Sequence, residues 1–207
     1  MEWGNWFALG AGTNGYVNAI GMNQANSNIY VGGSFTTPAA KIACWSGTAW
    51  SSVGSGAALN GDVNAVDYVG SNLYVGGDFT NAGGAGANYV AKLTGGSGSW
   101  IALGGSVDGP VLALADNLSE LVVGGDFVNA GPVTARHVVR WTGSYWKTLG
   151  TGVGGVQGLS NNPTVNAVAV NGTFVYLGGT FRSAGPNVSD NIAIWGGDVK
   201  FMPVVKK

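Results

Sequence analysis

Charge is what this sequence most lacks. Only 9% of its residues are Asp, Glu, Lys or Arg, against about 25% in an ordinary soluble domain. The net charge is -1, and neither sign forms a long run. A surface for duplex nucleic acid needs a basic stripe. The nearest approach to one is Lys206–Lys207 with Lys200 close by, so nucleic acid is set aside as a partner. Cysteine occurs once, as Cys44, which excludes an internal disulfide. Its place in an apolar strand pattern makes it a buried, inert thiol. A single histidine, His137, excludes the common multi-histidine zinc sites. No apolar run approaches the ~18 residues of a membrane span, and Met1-Glu2-Trp3-Gly4 does not open a signal peptide. We therefore expect a soluble, intracellular monomer with no membrane association. The sequons at Asn117, Asn171 and Asn187 carry no weight without a secretion signal.

What is abundant is glycine, 38 of 207 residues. It shows no Gly-X-Y period, which excludes collagen, and it sits beside aromatic and β-branched residues, which excludes disorder. Short strands joined by glycine turns fit this composition.

Four landmarks recur in fixed order. The first is a strand with a central alanine: Val17-Asn18-Ala19-Ile20, Val63-Asn64-Ala65-Val66, Val111-Leu112-Ala113-Leu114 and Val165-Asn166-Ala167-Val168. The second is an apolar strand ending in a glycine pair and a phenylalanine: Gly32-Gly33-Ser34-Phe35, Gly76-Gly77-Asp78-Phe79, Gly124-Gly125-Asp126-Phe127 and Gly178-Gly179-Thr180-Phe181. The pairs begin at 32, 76, 124 and 178, so the repeat is 44, 48 and then 54 residues long. The third is Ile42-Ala43-Cys44-Trp45, Val90-Ala91-Lys92-Leu93, Val138-Val139-Arg140-Trp141 and Ile192-Ala193-Ile194-Trp195. The fourth runs from Trp to Gly at Trp50–Gly54, Trp100–Gly104 and Trp146–Gly150, with a further copy at Trp6–Gly10.

Four short strands per unit of about 45 residues make one propeller blade, and stacked blades bury faces that a lone sheet would expose. The expected fold is all-β: a four-bladed β-propeller with four antiparallel strands per blade. It forms one domain over residues 1–207, with blades at about 11–54, 55–104, 105–150 and 151–202 plus strand 3–10. Alanine suits the crowded innermost strand. The glycine pair is expected to turn with positive φ and to pack closely. The Asp, Ser or Thr after it should cap its own turn, and the Phe should plug the gap between blades. The Trp residues should pack toward the outside.

The run Tyr-Val-Gly-Gly, followed by Trp-x-Gly-x-x-Trp-x-x-Leu-Gly, resembles a Kelch-type blade. It is more similar to the Gly-Gly-x-Phe repeats of Rax2-like cortical proteins and of related bacterial and large-DNA-virus propellers. The resemblance spans nearly the whole chain. It departs from a Kelch blade in the short link between the last two strands and in Leu93, where other copies carry Trp. It implies a viral or microbial repeat protein used as a binding platform, and it brings no catalytic motif.

The fourth repeat lacks a good Trp-x-x-Leu-Gly copy, and the chain begins with one. The N-terminal strand is therefore expected to close the last blade, with Trp6–Leu9 pairing with Ile192–Trp195 and removing an open edge. A competing strand, Val199-Lys200-Phe201-Met202, is weakened by Pro203 and by its lack of Trp.

The search for chemistry yields little. His137 lies beside Arg136 and near Arg140, a cluster of charge that no other copy has. These three are candidate binding residues, against the plainer alternative of solvated outer-strand side chains. No Gly-x-Ser-x-Gly elbow occurs, and no calcium-loop spacing surrounds Asp78 or Asp126. Asn18, Asn64 and Asn166 recur on the innermost strand. Either they ring an axial channel holding water or an ion, or they bond to the next blade's backbone. No cofactor and no metal are expected. The function read from these features is a non-enzymatic scaffold for protein binding. The alternatives are a lectin with repeated sugar sites between blades, stacking on the tryptophans, and an enzyme using the axial pocket. The copies disagree most at Thr134-Ala135-Arg136-His137, in the short loop Pro38–Lys41 and in the long connection Gly154–Pro163, where a protein partner would read the surface.

Overall fold

Strands built from β-branched and aromatic residues need cross-strand neighbours and a covered face, and the repeats supply both. The computed structural model describes residues 4–55, 58–155 and 162–197. Among them every regular element is a strand. The first sheet orders Val17–Asn23, Asn28–Gly33, Ile42–Trp45 and Trp50–Ser52. The second orders Val63–Val69, Asn72–Gly77, Val90–Thr94 and Trp100–Ala102. The third orders Val111–Asp116, Leu121–Gly125, Val138–Trp141 and Trp146–Thr148. The fourth holds Val165–Asn171, Phe174–Gly179 and Ile192–Trp195, and no fourth strand pairs with it among the described residues. Every pairing in these four sheets is antiparallel. Two small sheets accompany them. One is the ribbon Asn129–Ala130 with Val133–Thr134, and the other joins Val153–Gly154, Ser183–Ala184 and Asn187–Val188.

The sheets stack in chain order, and the first strands of successive sheets lie side by side. The glycine pair explains how. At Gly32 a Cβ would run into Val63 and Val66 of the second sheet, at Gly76 into Val111 of the third, and at Gly124 into Val165 and Val168 of the fourth. Glycine removes the side chain where the next sheet's valine must sit, so the close packing expected of the pair is present. The expected positive φ is not: none of the eight paired glycines adopts it. They remain within extended strands, and their demand is for space alone. The first strand bulges at the residue after its opening valine in all four sheets, at Asn18, Asn64, Leu112 and Asn166. A bulge increases local twist.

Three of the core clusters span two sheets each. Tyr30, Ile42 and Cys44 of the first meet Leu73, Val75 and Phe79 of the second. Tyr74 and Val90 of the second meet Val123, Phe127 and Val139 of the third. Val122 and Val138 of the third meet Val175, Leu177 and Phe181 of the fourth. Phe35, Phe79, Phe127 and Phe181 are buried, and the last three fill the gaps between sheets. A fourth, small cluster of Val31, Phe35 and Ala43 lies on the first sheet alone.

The expected closure by Trp6–Leu9 is not what the structure shows. Residues 4–9 form no strand. The Leu9 carbonyl accepts a hydrogen bond from Trp50 Nε1 at 2.8 Å, which holds this end of the segment on the first sheet, and Trp6 and Phe7 are exposed. A similar bond is made two repeats on, where Trp146 Nε1 donates to the Gly104 carbonyl at 3.1 Å, one residue later in the Leu-Gly pair. The Leu-Gly end of a repeat thus anchors to the outer tryptophan of the next sheet, and Leu9–Gly10 obeys that rule with the first sheet as its anchor. The competing strand Val199–Met202 lies outside the described residues.

Candidate functional site

The residue before each third strand is Lys41, Tyr89, His137 or Asn191, and all four have positive φ, at 66, 64, 72 and 66°. Each is clamped by its own backbone. The amide of His137 donates to the Phe127 carbonyl at 2.8 Å, and its carbonyl accepts from Gly125 N–H at 3.0 Å. The other three repeat both bonds. His137 is therefore a corner common to every repeat, not a break in the symmetry. It is also buried, contrary to the expectation of a solvated outer-strand residue. Burial pulls its pKa down, against the opposing pull of Asp126 and Asp108.

Arg136 is exposed, and its carbonyl accepts from Val153 N–H at 3.1 Å. Arg140 points elsewhere. Its Nη1 binds Glu120 Oε2 at 2.8 Å, and its guanidinium carbon lies 4.4 Å from the centre of the Trp195 ring. The three predicted binding residues thus separate into an exposed arginine, a buried corner and a clamp between the third and fourth sheets. Of the long connection Gly154–Pro163, residues 156–161 lie outside the described residues.

The asparagines follow the backbone-bonding alternative in two of three places. Asn18 Nδ2 donates to the Val63 carbonyl at 3.3 Å, and Asn64 Nδ2 to the Val111 carbonyl at 3.4 Å, each crossing to the next sheet. Asn166 has no following sheet to reach, and its Oδ1 accepts from Thr164 Oγ1 at 2.7 Å. Asp78 and Asp126 do not cap their own turns: they accept from Asn64 and Asn162 at 3.2 and 3.0 Å. A loop clamp escaped the sequence reading. Asn14, Asn60 and Asp108 each accept two backbone N–H groups from the loop after the phenylalanine, at 2.8 to 2.9 Å. Its signal is an Asn or Asp three residues before the opening valine of each repeat.

Trp45, Trp100, Trp141 and Trp146 are buried, while Trp50 and Trp195 are half-buried. The outer tryptophans fill a pocket made by two glycines. Trp100 packs on Gly54 and Gly83, and Trp146 on Gly104 and Gly131. The equivalent glycines of the fourth sheet are Gly150 and Gly185, and there the tryptophan is missing. In its place is a pocket of about 330 Å³ lined by Leu149, Gly150, Ala184, Gly185, Ala193 and Trp195 among others. Sequence reading saw the missing Trp copy but not the cavity it leaves.

A stack of antiparallel sheets, three of them four-stranded and one three-stranded among the described residues, each packed on the next by the same glycine and valine positions, has the build of a β-propeller protein. The family model described as the Rax2 C-terminal beta propeller domain matches residues 7–155, and the chain belongs to that family. Among solved structures it is similar to the computationally designed Ika4 protein, with a TM-score of 0.53 and 17% identity over 90% of this chain and 94% of that one. No curated protein matched the sequence.

Proposed function

We propose that the chain is a non-enzymatic scaffold contributing four blades, one for each repeated sheet, and that it works by binding a protein partner. The observation that carries this reading is the apolar pocket beside Trp195. It is concave, largely preformed, and shaped in the other sheets to receive an indole. Sites of this kind hold a large apolar side chain as an anchor. Exposed Arg136 lies one repeat boundary away, on the segment bonded to Val153, and supplies a planar multi-donor head suited to an interface rim.

The test is a comparison of the wild-type chain with Gly185→Phe, which fills the pocket from its own wall. Wild-type chain should retain a partner from the source lysate that the variant loses, and a glycan array should give no saturable hit. Equal retention by both proteins would remove the pocket from the binding surface. Sugar binding with several equivalent sites per chain would replace this reading with the lectin.

A further inference from the structure

The two ends of the stack are the two halves of an interface the chain already makes three times. On the leading face, Val63, Val111 and Val165 are each 0% exposed because they sit on the preceding sheet's glycine. Their counterpart in the first sheet, Val17, is 42% exposed, and Ile20 beside it is 67% exposed. On the trailing face, Ile42, Val90 and Val138 are 2, 0 and 1% exposed, whereas their counterpart Ile192 is 71% exposed. Gly178, the fourth glycine of the series, would meet no atom of another sheet if it carried a Cβ. Asn166 lacks the carbonyl that Asn18 and Asn64 find on the next sheet. Among the described residues the fourth sheet has no outer strand, and no indole occupies the place of Trp100 and Trp146 beside Trp195. Trp6-Phe7-Ala8-Leu9 has that strand's sequence, pairs with nothing, and leaves Trp6 fully exposed.

We propose that a second copy of this chain occupies both ends, head to tail, to close a two-chain ring. Val17 and Ile20 of each copy pack over Gly178 and Ile192 of the other, and Trp6 of each fills the pocket beside the other's Trp195. Trp6–Ala8 becomes the missing outer strand, with Ala8 opposite Ala193 as Ser52 stands opposite Ala43. Leu9 is already anchored to its own first sheet, so the segment leads away from that sheet toward whichever sheet precedes it. Propellers close with four to eight blades; one chain of four sheets leaves its own ends open, and two whole copies reach the upper limit of eight, so the ring holds two. Each contact continues the packing of the three internal interfaces, and a heterologous contact of this kind closes only as a ring. The inference rests on the reading of the chain as a four-blade scaffold.

The purified chain should sediment at twice the chain mass. Val17→Asp and Ile192→Asp should each give a folded single chain, since both side chains are exposed within one copy. Association should weaken by on the order of a hundredfold or more in each, because the new carboxylate would be buried unpaired. Linkage decides which chain supplies the strand. In a Cys44→Ala background, Ala8→Cys and Ala193→Cys chains are made separately, mixed and oxidised. A disulfide-linked pair in the mixture, and in neither variant alone, is the expected result. A link only within the doubly substituted chain would show that the chain closes on its own N-terminus, and would overturn the two-copy ring. A chain-mass species with no linkage in any sample would overturn it as well. On this inference the second copy is the partner that the pocket receives, so Gly185→Phe should also reduce the pair to single chains; a wild type of single-chain mass whose lysate partner is still lost in Gly185→Phe would overturn the ring and leave the scaffold reading standing.

Discussion

Arg140 in the third sheet holds its guanidinium 4.4 Å from the ring centre of Trp195 in the fourth, while the same head group binds Glu120 at 2.8 Å. One side chain thus ties two sheets together and forms the floor under the ring that lines the pocket. Both partners of the ion pair are largely buried, so removing one leaves the other uncompensated. Arg140→Met should lower stability by about 2 kcal/mol in denaturant unfolding. Arg140→Lys should recover part of that loss, because it keeps the charge but not the planar stack.

His137 makes a different prediction from the one its chemistry suggests. Its φ of 72° costs any residue with a Cβ, and costs Asn least among them. His137→Ala should destabilise the fold by about 1–2 kcal/mol through lost packing and the left-handed backbone. His137→Asn should be the milder change, since Asn191 already occupies the equivalent corner. The folded-state pKa of His137 is lowered by burial, so its contribution to stability is present above the usual histidine value near 6.5 and lost as pH falls. Unfolding midpoints of His137→Asn should therefore decline less between pH 7 and pH 5 than those of the wild type.

Asp67 works in the opposite sense. Burial, and then the neighbouring Asp116, push its carboxyl from 3.8 up to about 6. The folded chain is thus the better proton binder. Stability from this group is full below 3.8 and is lost as pH rises through 6. Asp67→Asn should leave stability at pH 4 nearly unchanged and raise it at pH 7.5 by on the order of 2 kcal/mol. Equal shifts at both pH values would show that the carboxyl titrates normally.

The glycine series gives the sharpest contrast. Gly124→Ala drives a methyl into Val165 and Val168, and overpacking of this kind costs about 1–3 kcal/mol. Gly178→Ala meets only Ala167 Cβ at 3.7 Å and the Asn191 carbonyl at 4.0 Å, ordinary contact distances with no other sheet involved, and should leave the unfolding transition of a single copy in place. If the two changes cost the same, the valine-on-glycine account of the stack is wrong.

The sequence reading reached the blade because each landmark answers a packing demand that recurs. Phe79, Phe127 and Phe181 fill gaps, and the glycine pairs make room. It failed where a residue's role depends on a neighbour that the pattern does not name. The corner at His137 comes from backbone bonds that Lys41, Tyr89 and Asn191 share without any common side chain, and its burial is not shared, since Asn191 at the same corner is exposed. Trp6 carries the outer-strand motif, yet no pattern within one chain fixes which sheet receives it. The pocket was invisible because it is the space left by a side chain that the fourth repeat omits. The Asn14, Asn60 and Asp108 clamp has a sequence signal, a fixed place three residues before Val17, Val63 and Val111, but Asn and Asp are common in turns and do not by themselves mark a clamp.

Every sheet in this stack has a glycine face and a valine face, which gives the stack a direction. Two like ends cannot mate, so any copies that add do so head to tail, as in a polar filament. Whether growth stops depends only on the rotation between successive sheets, which the bulges at Asn18, Asn64, Leu112 and Asn166 help to set through local twist. A rotation that fails to return the last sheet to the first leaves both ends open, and a heterologous contact then propagates as an open helix. Substitutions that alter those bulges should accordingly convert a finite particle into fibres whose length grows with protein concentration, a change of curvature seen as polymerisation.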